Sequence, residues 1–260
     1  MLKLKRFHLF EFCDQPWVKG WMREGFMDCL SFMYWSSRPY HALAPQIIKQ
    51  TTEFQIIDLA TGGGEAIEFL LKYLEKNHAD ASLQIVGTDL FPDQTSLEIV
   101  KQKYPHFDYR TESVDAFDPP DGESVAYTMF GAFHHFREKD AVRLIRSCLS
   151  KGQSFTIFEL TARYNLLNYI WLFIGLFAFM FVPFFAKKWR WQKFVFSILI
   201  PIIPLMCVFD GFVSNLRTYT KGELEDLVQK AFPDKIVRMD YREQRFNLLF
   251  KSYMCRLHVK

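Results

Sequence analysis

A few acids, a run of glycines and a pair of histidines are the residues here best suited to do chemistry. Asp58 follows the apolar run Phe54 to Ile57, and Gly62, Gly63 and Gly64 come directly after it. Glycine permits turns and close approaches that other residues resist, so this stretch can present bare backbone N–H groups to a ligand. Apolar residues then recur at helical spacing from Glu65 to Leu74, which predicts a helix whose N-terminus faces the same ligand. Asp89 lies near the end of a second apolar run, Gln84 to Leu90. A carboxylate at the tip of a second strand can accept both hydroxyls of a ribose. A turn-capping aspartate is the plainer alternative, and the order strand, glycine turn, helix, strand, acid favours the ribose. A dinucleotide fingerprint would need a third glycine where Ile67 stands.

His134 and His135 lie just past the apolar run Ser124 to Phe130, and Glu159 ends the run that starts at Phe155. Both places fall at the carboxyl edge of strands, where open α/β sheets bind ligands. A neutral imidazole there can take a proton from a hydroxyl or amine nucleophile. Adjacent histidines face different ways, so the two do not line one pocket face, and a scaffolding role stays open for both. No third ligand lies at zinc spacing, and Cys13, Cys29, Cys148, Cys207 and Cys255 share no metal-type spacing, so no metal is expected. Unpatterned cysteines fit a reducing compartment. The formal charge of +3 is small and spread along the chain, which argues against a nucleic-acid partner.

The elements that would position these residues alternate strand and helix from about residue 54 to 160, the pattern of a parallel sheet with helices on both faces. The third strand is expected at Phe107 to Arg110, a helix at Lys139 to Leu149, and two late strands at Ile236 to Tyr241 and Leu248 to Val259. Thr220 and Glu223 have the spacing of a capping box. Before the sheet, residues 1–50 read as a helical segment. Asp14 is its expected cap, Pro16 lies in its first turn, and Trp17, Trp21, Phe26 and Met33 fall on one face. That face either packs on the core or forms a lid. The basic start, Lys3, Lys5 and Arg6, is followed by Glu11, Asp14 and Lys19 rather than an unbroken apolar run, so no signal peptide is expected.

Residues 164–215 form a hydrophobic insertion. No charge interrupts Tyr164 to Ala186, and a second uncharged run, Phe194 to Phe209, contains Pro201 and Pro204. The link between them holds Lys187, Lys188, Trp189, Arg190, Trp191 and Lys193. A spanning hairpin, the alternative, would put these cations on the far side of a membrane, against the positive-inside tendency. A monotopic or re-entrant helical pair on the cytoplasmic face, its basic link among anionic headgroups, is the expectation. Asp210, Arg217 and Tyr219 follow, as groups that could orient a polar substrate head or form an ordinary structural loop.

The glycine turn resembles the first motif of class I S-adenosylmethionine-dependent methyltransferases, acid-x-Gly-x-Gly-x-Gly: Asp58, Gly62 and Gly64 match, and Ala60 replaces the first glycine. More fully, the chain resembles a little-characterised subgroup of that family. The resemblance rests on Asp14–Trp17, Asp58–Gly64, Thr88–Leu90, Val114–Ala116, Phe133–Phe136, Phe158–Arg163 and Ile200–Tyr219, and covers almost the whole length. It implies a Rossmann-like seven-stranded methyltransferase sheet over residues 51–163 and 216–260, and S-adenosylmethionine as cofactor. By resemblance the cofactor would meet Asp58, Ala60, Gly62, Gly63, Gly64, Asp89, Leu90, Asp115, Ala116 and Phe130, with Asp115 on the adenine amine and Ala116 against the ring. The resemblance says little about substrate; because the hydrophobic insertion interrupts the domain near the expected active-site edge, the expected acceptor is a lipid, quinone or other hydrophobic small molecule. The alternative is a catalytically silent, cofactor-binding membrane scaffold or sensor.

Overall fold

The protein is described from a computed structural model that covers residues 5–50, 55–78, 82–122, 124–186, 188–246 and 250–259. Lys3, Phe54, Lys187 and Leu248, which figure in the expectations above, lie outside the described residues. In chain order the helices and strands are α1 (Trp21–Ser37), α2 (Ala44–Gln50), β1 (Gln55–Leu59), α3 (Glu68–Asn77), β2 (Gln84–Thr88), α4 (Gln94–Lys103), β3 (Phe107–Tyr109), β4 (Val125–Phe130), α5 (Glu138–Lys151), β5 (Ser154–Glu159), α6 (Leu166–Met180), α7 (Trp191–Phe194), α8 (Ile202–Arg217), α9 (Lys221–Ala231), β6 (Val237–Phe246) and β7 (Phe250–Val259).

They form two compact units: residues 39–160, 220–244 and 252–260 in one, residues 1–38, 161–219 and 245–251 in the other. The first is the sheet unit. Its strand order is β3-β2-β1-β4-β5-β7-β6, with β7 antiparallel to β5 and the inner strands parallel. β4 and β5 are buried along their whole length. A strand covered on both faces needs no polar alternation, which is why they read as continuous apolar runs. α5 buries Ala141, Leu144, Ile145, Cys148 and Leu149 and packs beside α9. The capping box at Thr220 and Glu223 forms as expected, with both reciprocal bonds made.

One boundary in the sheet unit departs from expectation. α3 starts at Glu68, three residues after the predicted Glu65. Gly62 and Gly64 take φ of 60° and 86°, outside the helical region, so the chain turns through 65–67 before Glu68 N–H can bond to Gly64 C=O and open the helix.

The other unit is helical. The N-terminal segment and the insertion, expected as separate parts, fold together in it. α1 contributes Phe26 and Cys29 to a core that also holds Phe179, Val182, Ile203 and Met206. The helix start predicted at Asp14 is corrected: α1 begins at Trp21 after Gly20, which has a φ of 59°, while Asp14 ends a separate short 3-10 turn, Phe12–Asp14. Among the described residues no single helix is long and apolar enough to cross a membrane. The helical stretch Trp191–Leu199 and α8 pass that test only as a pair, bent by 68°. The bend follows from Pro201, which cannot supply an N–H to continue the first stretch.

The basic link differs from the expected row of headgroup cations. Arg190 donates to both oxygens of Glu24 at 2.7 and 3.0 Å, and Lys193 donates to Asp28 at 2.6 Å. Lys193 is 2% exposed. A buried ammonium needs a carboxylate partner, and α1 provides one.

Candidate functional site

The carboxyl ends of β1, β2 and β4 build a polar knot around Asp58. Strand register sets Asp58 opposite Gly87 on one side and Thr128 on the other. Its carboxylate accepts the hydroxyls of Thr128 at 2.7 Å and Thr61 at 2.8 Å, and Thr88 donates its hydroxyl to the Asp58 carbonyl at 2.9 Å. Asp58 is 1% exposed. Burial pushes its carboxyl up to about 7, the two threonine hydroxyls pull it part of the way back, and the charge of Asp89 raises it further. Asp58 thus has its oxygens turned to the threonines, and it acts on the turn through them. Sequence reading had given no role to Thr61 or Thr88, which lay within motifs of the resemblance, and had not singled out Thr128.

The turn that follows puts alternate residues in left-handed backbone: Ala60 at φ 56°, Gly62 at 60°, Gly64 at 86°. Ala60 is the one that carries a Cβ there, at a cost of about 1–2 kcal/mol. Ala60→Gly is expected to raise stability by about 0.5–1 kcal/mol, the strain relieved less the added unfolded-state freedom. A thermal melt checks this, and an unchanged or lower melting temperature would mean the turn is not strained at that residue.

Asp89 closes the turn from the next strand. Its carboxylate accepts Gly62 N–H and Phe91 N–H, each at 2.8 Å. Each carboxylate oxygen has a second acceptor position, so two donors can still be taken. The following residues open outward, Leu90 at 48% and Phe91 at 81% exposure. The loop after β3 is held beside them by Val114 N–H to the Asp89 carbonyl at 2.9 Å and Ser113 hydroxyl to the Leu90 carbonyl at 2.7 Å. That brings Asp115 and Ala116 to the same edge. Asp115 is exposed, with one oxygen accepting Phe117 N–H at 2.9 Å. Gly62, Gly63, Asp89, Leu90, Asp115 and Ala116 are therefore assembled at one rim. Phe91 belongs with them, and its only sequence signal was an aromatic directly after the acid-bearing strand.

Phe130 is placed differently. It stacks on Phe158 at 4.2 Å between centroids, with Tyr40 and Phe69 edge-on at 5.3 and 5.5 Å. Its ring is buried in that aromatic cluster rather than turned outward. Next to it, Glu159 takes His134 twice, accepting its backbone N–H at 2.9 Å and facing Nδ1 at 2.8 Å, which fixes the ring's orientation. The two histidines do not face different ways as expected: within the short turn Phe133–His135 the His135 ring lies against that of His134, centroids 4.3 Å apart and planes 32° apart, and His135 is only half-buried.

In the helical unit, Asp210, Arg217 and Tyr219 do not form an open polar mouth. Asp210 lies within α8, and its oxygens accept Phe12 N–H and Cys13 N–H at 2.7 and 2.9 Å. Arg217 donates to the Leu9 carbonyl and pairs with Glu11 and Asp14 at 3.2 and 3.3 Å. The Arg6 guanidinium stacks 3.9 Å over the Tyr219 ring. All three are buried, and together they clasp the chain around residues 6–14. Donor atoms of Glu11, Cys13 and Asp14 lie within 4.8 Å of one another, but Arg217 neutralises both carboxylates, so the group reads as an ion-pair cluster.

No protein-family model matches the sequence, and no curated protein does. Solved structures match its fold. The pyocyanin biosynthetic protein PhzM aligns with a TM-score of 0.52 and 14% identity, over 88% of this chain and 56% of PhzM. NcsB1, an O-methyltransferase from neocarzinostatin biosynthesis solved with S-adenosyl-L-homocysteine and 1,4-dihydroxy-2-naphthoic acid, aligns with a TM-score of 0.54 and 12% identity, over 90% of this chain and 57% of NcsB1. The chain spans a little over half the length of these proteins. The sheet has the Rossmann-like methyltransferase fold that the resemblance implied.

Proposed function

We propose that this chain is an S-adenosylmethionine-dependent methyltransferase that works at the cytoplasmic face of a membrane on a lipid, quinone or other hydrophobic acceptor. The observation that carries the cofactor is Asp89. It sits at the tip of β2 with acceptor capacity remaining, its Gly62 contact tying it to the turn and exposed Leu90 and Phe91 beside it. Those residues suit a ribose and an adjoining flat base, with Asp115 and Ala116 at the base's edge. S-adenosyl-L-homocysteine in NcsB1 supports the choice of ligand. When bound, the cofactor supplies a methyl on a sulfonium for in-line transfer to a nucleophile. The chain's own part is to hold both reactants and exclude water. His134, oriented by Glu159, is proposed to take the acceptor's proton, with His135 beside it. The burial of His134 favours the second reading, a cofactor-binding scaffold or sensor that transfers nothing.

Membrane attachment is supported by the surface of the helical unit. Phe173, Phe177, Phe185 and Trp189 stand 64–74% exposed, and many neighbours along residues 166–202 are open as well. Apolar surface on this scale is uncommon where water is the only neighbour. α6 has 15 residues, about 22 Å at 1.5 Å per residue, short of a bilayer core of about 30 Å. The short α6 and the 68° bend before α8 support an interfacial rather than a spanning placement, with Trp189, Trp191 and the exposed Lys188 at the headgroups.

The test joins two measurements on the full chain. Calorimetric titration with S-adenosylmethionine and S-adenosylhomocysteine should show binding, and methyl transfer should appear when membrane extracts supply the acceptor. Absence of binding by folded protein would sink the methyltransferase reading. Binding without transfer to any extract would favour the silent scaffold. Failure to co-sediment with anionic vesicles would overturn the membrane reading.

A further inference from the structure

We infer that the groove between α6 and α8 holds one acyl chain of an anionic bilayer phospholipid. The inference rests on the membrane-surface reading and adds a ligand and a site to it. The groove has a volume of about 530 Å³ and is walled by Tyr169, Leu172 and Phe173 of α6 and by Leu205, Met206 and Phe209 of α8. The residues along each helix are three or four positions apart or adjacent, so each wall is one helical face. Among the described residues, no Asp, Glu, Lys, Arg or His lines the groove. A charged or strongly hydrogen-bonding occupant would lose its water there with nothing in exchange. An apolar cavity of about 150 Å³ takes a benzene, and in proportion this groove has room for roughly 20 carbons, one chain and not two.

Two observations point to a bilayer as the source of the chain. First, the groove opens into the exposed apolar face: Trp17, Phe173, Leu205 and Phe212 all line it and are 41–64% exposed. An occupant therefore stays in contact with an apolar medium. Second, charge is complementary to an anionic surface. The helical unit, which contains the groove, has 14 Lys and Arg against 5 Asp and Glu, a formal +9; the rest of the chain has 18 against 24, a formal −6. Basic residues next to an apolar face are what draws a protein to anionic lipid.

The experiment uses the full chain and phosphatidylcholine–phosphatidylglycerol vesicles in which the phosphatidylglycerol has a photoreactive diazirine on its acyl chain. Adducts are expected on Leu172, Met206 and Phe209. Leu205→Trp, at an exposed rim position, should fill the groove and cut those adducts by about tenfold, because a filled groove leaves the chain no volume to enter. Co-sedimentation and the melting curve should stay as in the unaltered chain. Should Leu205→Trp unfold the unit, the adduct map of the unaltered chain still decides. Co-sedimentation with adducts only on outward residues such as Phe177, Phe184 and Phe185 would overturn the groove site and leave membrane attachment standing. Cross-linked dimers in place of groove adducts would give the groove to a second copy and overturn it too. Without co-sedimentation, both readings fall.

Discussion

Asp89→Ala is expected to lower affinity for S-adenosylhomocysteine about a hundredfold or more. Two effects add. The proposed ribose hydroxyls lose a charged acceptor, and hydrogen bonds to charged groups contribute about 1.5–3 kcal/mol each. The Gly62 N–H also loses the carboxylate that holds the turn at 2.8 Å. A control on the same loop separates binding from folding. Asp93 caps α4 by accepting Ser96 N–H at 3.2 Å and is not among the rim residues. Asp93→Ala should cost about 1 kcal/mol of stability, as lost caps do, and leave affinity unchanged. Calorimetry on both variants, with melting curves alongside, reads the two effects apart. Full affinity in a folded Asp89→Ala protein would remove the ribose role, and equal losses in both variants would make the effect one of general stability.

Asp58→Asn should change how stability depends on pH. Burial holds the Asp58 carboxyl at about 7 in the folded chain, well above its ordinary value of 3.8. The folded state therefore binds this proton more tightly than the unfolded one. Its contribution is fully present below the unfolded pKa and is lost as pH rises through about 7. Between pH 5 and pH 8 the unaltered chain should lose about 2–3 kcal/mol from this group, at about 1.4 kcal/mol per unit of pH where the two states differ by a full proton. The asparagine has no proton to lose and keeps a carbonyl and an amide for Thr61 and Thr128. Its melting temperature should fall less over the same range, and the two proteins should differ most at pH 8. Parallel curves for the two proteins would mean that Asp58 is ionised throughout, stabilised by the hydroxyls of Thr61 and Thr128.

The sequence by itself determined the sheet and the turn. β4 and β5 are buried on both faces, so their apolar runs are continuous and readable in one dimension. The capping box at Thr220 and Glu223 is equally local, because its two partners are three residues apart. The glycine turn and Asp89 could be found in the same way, from residue types that only certain backbone shapes or ligands demand. What the tertiary structure alone decided involves partners far apart in the chain. Thr128 reaches Asp58 across 70 positions by strand register, which no local period encodes. Asp210 and Arg217 look like a polar mouth until the segment around Phe12 and Leu9 is folded against them, about 200 positions away. Arg190 and Lys193 look like headgroup cations until Glu24 and Asp28 of α1 are brought beside them. The small net charge conceals a formal +9 and −6 that become visible only once folding assigns residues 1–38, 161–219 and 245–251 to one unit. The physical reason is the same in each case. Hydrogen bonds and ion pairs require approach to about 3 Å, and sequence periodicity reports only which face a residue occupies, not which distant group meets it there.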